Sequence, residues 1–164
     1  MKTKKVAFLG LTISLAMIFS FLESQIPAFV AIPGIKVGLP NLVIVFLLYR
    51  IGWKDAVIVS LIRVFLVSIL FGTLQTATFS IAGAVLSLAG MILLKKTNWF
   101  SPIAVSVVGG VLHNLGQIFA AILWTQTPEV AYYFPVLLVS GTVAGTVIGI
   151  IAGVLVKKLE NWKL

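Results

Sequence analysis

The sequence predicts an all-α membrane protein: a bundle of six transmembrane helices that forms one integral-membrane domain over residues 1–164. Three observations predict this fold. Of the 164 residues, 60% are hydrophobic and 10% are charged, and the mean hydropathy is +1.18, whereas soluble domains are roughly half apolar and a quarter charged. Apolar segments near the roughly 20 residues that a membrane helix needs recur along the chain. Basic residues fall between these segments as six crossings require.

The first two predicted helices cover residues 6–22 and 39–51. The first follows a lysine-rich start and resembles a secretory signal, but it is longer than the usual apolar core and no small-residue cleavage site follows it, so we expect a retained helix. The second is short, since a dozen residues rise only about 18 Å as a helix. It must begin inside the protein, extend into the preceding loop, or span a thinned region.

The other four helices are predicted over residues 55–73, 78–94, 102–125 and 135–156. Six crossings place both termini on one side, together with ten of the twelve basic residues: Lys2, Lys4, Lys5, Arg50, Lys54, Lys95, Lys96, Lys157, Lys158 and Lys163. The positive-inside rule makes that side cytoplasmic. A five-helix topology without the short segment would scatter these charges. Tryptophan and tyrosine also fall near the predicted helix ends, where amphipathic rings favour the interface.

Several function classes are disfavoured by composition. The absence of cysteine excludes disulfides, thiolate metal sites and a cysteine nucleophile. The net charge of +8 follows from the membrane topology, so we expect no nucleic-acid partner. The single histidine has no carboxylate near it in sequence to build a catalytic triad, and no Walker motif is present to bind ATP. We therefore expect a non-enzyme without cofactor or resident metal.

Small residues mark two helix faces. The last helix carries Gly141, Gly145, Gly149 and Gly153 at four-residue spacing, which lets another helix backbone approach closely. We expect this stripe to pack within the chain, the alternative being another subunit. The first helix carries Gly10 with Ser14 and, on a nearby face, Thr12 with Ala16. These four residues fit either docking of a partner helix or ordinary bundle packing.

Polar residues inside the predicted helices are the main candidates for a ligand site. Arg63 lies about eight residues into its helix, and a charge at that depth usually faces a cavity or a partner. His113 and Gln117 share a helix face at four-residue spacing, with Asn114 beside them. We expect these groups to contact a ligand; the alternative is a hydrogen-bond network between helices.

The predicted external loop over residues 23–41 extends this candidate site. It is rich in proline and glycine and longer than most connections, so we interpret it as a lid over a cavity rather than a plain connector. Glu23, Lys36 and Asn41 lie within it. Lys36 can engage an anionic ligand or pair with Glu23. Gln75, at the external start of the fourth helix, can extend the wall of the site.

The segments LESQIP, PGIKVGLPN, GGVLHNLGQ and YYFPVLL, together with the Arg63 helix and the glycine stripe, resemble a bacterial membrane family known both as Gx transporters and as heptaprenyl diphosphate synthase component I. The resemblance covers about residues 15–156. In size and six-helix layout the chain also looks like the S components of energy-coupling factor transporters. That likeness implies a multi-pass protein of the bacterial cell membrane. It also implies a coupling subunit with ATPases, which docks on small residues of the first helix.

The hypothesis that follows is a substrate-binding membrane subunit for uptake of a small micronutrient or precursor through a pocket open to the external side. An alternative is an accessory protein of isoprenoid or quinone metabolism that binds a prenyl diphosphate or quinone. Catalysis by the prenyl transferase route is disfavoured, because it needs clustered aspartates to hold magnesium and this chain has four well-separated acidic residues. A proton-coupled carrier is a third possibility, with His113 as its proton-binding group.

Overall fold

The computed structural model describes residues 2–25 and 37–161, and these fold as six α-helices with no strand among them. The helices are α1 (Lys2–Gln25), α2 (Leu39–Arg50), α3 (Trp53–Phe71), α4 (Leu74–Lys96), α5 (Pro102–Thr125) and α6 (Phe134–Lys158). Each predicted segment overlaps one of them, with ends that differ by up to four residues, so the predicted fold class is confirmed. A short 3₁₀-helix over Pro128–Tyr133, which the sequence analysis did not predict, precedes α6.

Four of the six helices are long and apolar enough to cross a membrane: α1, α4, α5 and α6. Of the two other helices, α3 has 19 residues and carries the charged side chains of Lys54, Asp55 and Arg63. The other, α2, has only 12 residues. The chain is therefore a multi-pass membrane protein whose second and third helices depend on their neighbours.

The short helix α2 occupies the centre of the bundle. It packs against each of the other five helices, and its residues 43–48 are all buried. Gly38 precedes it in the left-handed conformation, with φ of 79°, and Pro40 lies in its first turn, where a missing N–H costs nothing. A helix surrounded on all sides needs no polar face, which explains why α2 is apolar throughout residues 42–48.

The most extensive contacts between helices are those of α5 with α4 on one side and with α6 on the other. At the α6 contact, a carbon added to Gly145 would lie 2.6 Å from the Cα of Val107. Gly141 and Gly149 meet the α5 backbone at similar distances, whereas Gly153 has only Pro102 near it, at 3.8 Å. Three glycines of the stripe therefore pack within the chain.

The charged residues gather at one end of the bundle, here called the basic end, where α1, α3 and α5 begin and α2, α4 and α6 end. Lys5 of α1 forms an ion pair of 2.9 Å with Asp55 of α3. Arg50 of α2 donates a hydrogen bond of 2.7 Å to the carbonyl of Leu159, just after α6. These contacts hold the two termini of the described chain at the same end.

Candidate ligand-binding cavity

A cavity opens at the end of the bundle opposite the basic end, and all six helices line it. Its volume is about 90 Å³, room for roughly six to nine water molecules at about 10–15 Å³ each. Its walls combine apolar residues of α2, α4 and α6 with polar side chains from five helices: Glu23, Asn41, Ser60, Arg63, Ser80, Ser87, His113 and Asn114. This mixture of an apolar wall with a few polar groups is typical of a small-molecule site.

The entrance lies where α1 ends and α2 begins. The backbone N–H of Gly38 donates a hydrogen bond to the carboxylate of Glu23. No side chain of α2 caps this helix start, so Glu23 of α1 acts in place of a local cap. Asn41, in the first turn of α2, lines the cavity beside it. The N-terminus of α2, which carries a partial positive charge, therefore points at the cavity.

Arg63 brings a full positive charge to the same wall. Its Nη1 donates a hydrogen bond of 3.1 Å to the Oγ of Ser20, whose own hydroxyl donates to the carbonyl of Ala16 at 2.9 Å. Its Nε is buried and has no hydrogen-bond partner among the described residues. Glu23 is close enough for its negative charge to act on the guanidinium. Arg63 is thus held in place with donor capacity left over.

Serine hydroxyls form a polar strip deeper in the cavity. Ser60 lies one turn before Arg63 on α3, and Ser80 and Ser87 lie two turns apart on α4. None of the three hydroxyls has a hydrogen-bond partner within residues 2–25 and 37–161. Neither Ser60 nor Ser87 is among the site residues predicted from the sequence. Their spacing from Arg63 and Ser80 is the signal that marks them, because residues three or seven apart share a helix face.

His113 and Asn114 reach the cavity from α5. The His113 ring lies over Gly83 of α4, where an added carbon would be 2.8 Å from Nδ1 and Cε1. Asn114 is buried and donates a hydrogen bond of 2.6 Å from Nδ2 to the carbonyl of Leu137. Asn114 therefore forms a hydrogen bond between two helices, as one of the two readings expects, and it also lines the cavity.

Two of the predicted site residues lie elsewhere. Gln117 is buried but does not line the cavity, and its Oε1 has no hydrogen-bond partner among the described residues. It lies one turn beyond His113, where α5 meets the α4 backbone: a carbon added to Gly116 would be 2.6 Å from the carbonyl oxygen of Ala82. Gln75 is exposed in the first turn of α4, five residues before Ser80 and hence on another helix face. Lys36 and most of the predicted lid lie outside the described residues.

The four small residues of α1 do not form one docking face. Thr12 and Ala16 are buried inside the bundle, which is the second of the two readings, ordinary bundle packing. Gly10 and Ser14 are exposed, and a carbon added to Gly10 would meet nothing within 4 Å. The two pairs differ because positions two residues apart on a helix are about 200° apart around its axis.

A family model described as "Heptaprenyl diphosphate synthase component I" matches residues 12–155. The matched region starts in α1 and ends in α6, so it contains every residue that lines the cavity. Comparison with curated proteins gives no significant match, and neither does comparison with solved structures.

Proposed function

The chain belongs to the heptaprenyl diphosphate synthase component I family, and from this premise we propose that it is a substrate-binding membrane subunit for uptake of a small micronutrient or precursor. The family's description names a component, which fits a protein that works with others. The ligand enters from the external side, at the end of the bundle opposite the basic end.

The observation that carries this proposal is the cavity itself. Polar groups cost free energy inside a membrane, so they are usually placed where they serve a ligand, an ion path or each other. Here Arg63, His113 and three serines from α3, α4 and α5 converge on one space that is open at one end. Ser87 lies 87 − 74 = 13 residues into α4, about 20 Å from its start at 1.5 Å per residue. A binding site at that depth suits a step in transport.

Uptake against a gradient requires an energy source, and the sequence has no nucleotide-binding motif of the Walker type. We therefore propose a transmembrane coupling subunit with ATPases as the partner. The exposed face of α1 around Gly10 and Ser14 is the place where such a subunit would dock. Small residues there permit close approach of another helix.

A second candidate function is that of an accessory protein which binds a prenyl diphosphate. The family's description and the positive groups at the cavity entrance favour it. The cavity, at about 90 Å³, has room for a head group of roughly the volume of a few waters, so a long prenyl chain would extend into the lipid. The two candidates differ in their ligand: a soluble small molecule in one case and a lipid in the other.

Native mass spectrometry of the protein purified in mild detergent tests the proposal, with His113→Ala as the cavity variant and Gln75→Ala as the control. We expect a co-purified small molecule on the wild type and on Gln75→Ala, and its loss from His113→Ala, because His113 lines the cavity and Gln75 does not. A polyprenyl species, or a prenyl transferase that co-purifies, would replace the uptake proposal with the second candidate.

A further inference from the structure

We propose that the ligand carries an oxyanion, a carboxylate or a phosphate, which binds between Arg63 and the N-terminus of α2 in competition with the carboxylate of Glu23. The inference rests on the proposed function only in requiring that the cavity binds a ligand. It would hold equally for an uptake subunit and for an accessory protein, and it assigns a chemical class where the proposed function leaves the ligand open.

Arg63 supplies the first observation. A guanidinium has five N–H donors in a planar fork that matches the two oxygens of a carboxylate or phosphate. The described structure gives Arg63 a neutral acceptor, the Ser20 hydroxyl at 3.1 Å, and leaves its buried Nε without a hydrogen-bond partner among the described residues. A half-buried guanidinium whose Nε donor has no acceptor favours binding of an anion.

The start of α2 supplies the second, independent observation. The first turn of a helix carries a partial positive charge. At α2, Pro40 has no N–H and Asn41 donates to the carbonyl of Gly38 at 2.9 Å, whereas the N–H of Gly38 is donated out of the helix to Glu23. The α2 start has no side-chain cap from its own residues, and Gly38 and Asn41 line the same cavity as Arg63. A positive side chain and a positive helix end therefore face one space.

Glu23 shows that this place already accepts a carboxylate. Its carboxylate accepts a hydrogen bond from the N–H of Gly38, and its negative charge attracts the guanidinium of Arg63. One carboxylate thus joins α1 to the start of α2, and it lines the same cavity as Arg63, the second positive group that an external oxyanion would use. An incoming oxyanion that takes over these groups releases Glu23, and with it the link between the end of α1 and the start of α2.

The test uses the full chain in detergent and two probes, inorganic diphosphate and sodium acetate, at matched ionic strength against sodium chloride. Binding is measured by the shift of the unfolding midpoint over a concentration series. We expect at least one oxyanion to bind the wild type. Glu23→Gln keeps an acceptor for Gly38 but removes the charge, so the same probe should bind roughly tenfold more tightly. Arg63→Gln should abolish binding.

Matched controls have the same charge changes away from the cavity. Glu129→Gln, on the exposed 3₁₀-helix, removes one negative charge, and Lys157→Gln, at the end of α6, removes one positive charge. Neither should change oxyanion affinity by more than about twofold, since exposed charges are screened by salt. Arg63→Lys keeps the positive charge but lacks the planar guanidinium, so it should retain weak binding. Weak binding by this variant would show that Arg63→Gln loses the binding site and not the fold.

Three outcomes would overturn the inference: no oxyanion binds the wild type or Glu23→Gln, Glu23→Gln binds the probe more weakly than the wild type, or Lys157→Gln weakens binding as much as Arg63→Gln. Oxyanion binding with the expected variant pattern, on a protein that co-purifies with a polyprenyl species or a prenyl transferase, would leave the inference standing and remove the proposed uptake function instead. Preference for diphosphate over acetate assigns a phosphate ligand, and the reverse assigns a carboxylate.

Discussion

The side chain of Asn114 fits its place because the residue opposite has no side chain. Its amide donates to the carbonyl of Leu137 at 2.6 Å, and a carbon added to Gly141 would lie 2.9 Å from the same nitrogen. A larger residue at position 141 would push the amide away from its acceptor. The hydrogen bond between α5 and α6 therefore depends on the glycine stripe as well as on the asparagine.

Replacing Asn114 with alanine should destabilise the protein by about 0.6 to 1.7 kcal/mol, the range for hydrogen bonds between membrane helices. The Leu137 carbonyl still accepts from the Ser140 hydroxyl at 3.0 Å, so the loss should stay within this range. Unfolding in detergent, followed by circular dichroism, measures the change. Ser14→Ala is the control, because its exposed hydroxyl bonds only to the Gly10 carbonyl of its own helix; equal loss in both variants would contradict the assignment.

At the scale of the elements, α5 is the helix around which α4 and α6 assemble. It approaches both backbones closely, at Gly116 towards α4 and at Gly145 of α6. Membrane helices gain little from burying apolar side chains against each other, because lipid is equally apolar, so backbone approach at small residues is a main source of their association. The cavity forms on the side of this three-helix unit that faces α2 and α3.

Substituting alanine at Gly145 and at Gly153 compares two glycines of one stripe. At Gly145 the added carbon would lie 2.6 Å from the Val107 Cα, so α6 must move away from α5 and the protein should lose roughly 1–3 kcal/mol, the usual cost of overpacking. At Gly153 the nearest atom is 3.8 Å away, and the change should stay within about 0.5 kcal/mol. Thermal unfolding measures the stability of both variants. Equal effects would show that helix propensity, and not packing against α5, sets the cost of each substitution.

The helices could be predicted from the sequence because each is an apolar segment bounded by charge, glycine or proline. Arg63, His113 and Asn114 were predicted as site residues because a polar group in an apolar segment is conspicuous, and Glu23 and Asn41 because they lie in the long external loop. All five line the cavity. Ser60 and Ser87 were not predicted, because serine is common in membrane helices and is therefore not conspicuous there. Excluding Gln117 and Gln75 required the helix rotations and the α4–α5 contact, which periodicity alone does not fix.

For the whole molecule, charge distribution is the clearest asymmetry. The basic end holds the ion pair of Lys5 with Asp55 and the lysines that end α4 and α6. The other end holds the cavity entrance and the 3₁₀-helix. The positive-inside rule predicts that the basic end faces the cytoplasm, which places the cavity entrance outside, as uptake requires.

The absence of cysteine from the chain makes this orientation directly testable. Thr97→Cys places one thiol in the exposed turn after α4, at the basic end, and Thr127→Cys places one beside the exposed 3₁₀-helix at the other end. In intact cells, we expect a membrane-impermeant maleimide to label Thr127→Cys fully and Thr97→Cys only after permeabilisation. The reverse labelling pattern would invert the orientation and leave the cavity open to the cytoplasm.

The position of α2 has a consequence for how the protein is made. A segment of 12 residues is shorter than the roughly 20 that cross a bilayer unaided, and the α3 that follows it after Ile51 and Gly52 carries three charges. Neither helix has the length or composition to partition into lipid alone, so the two are expected to enter the membrane together as a hairpin. Because α2 touches every other helix, its burial is complete only after α6 has been synthesised, so the early helices reach their final packing only at the end of synthesis.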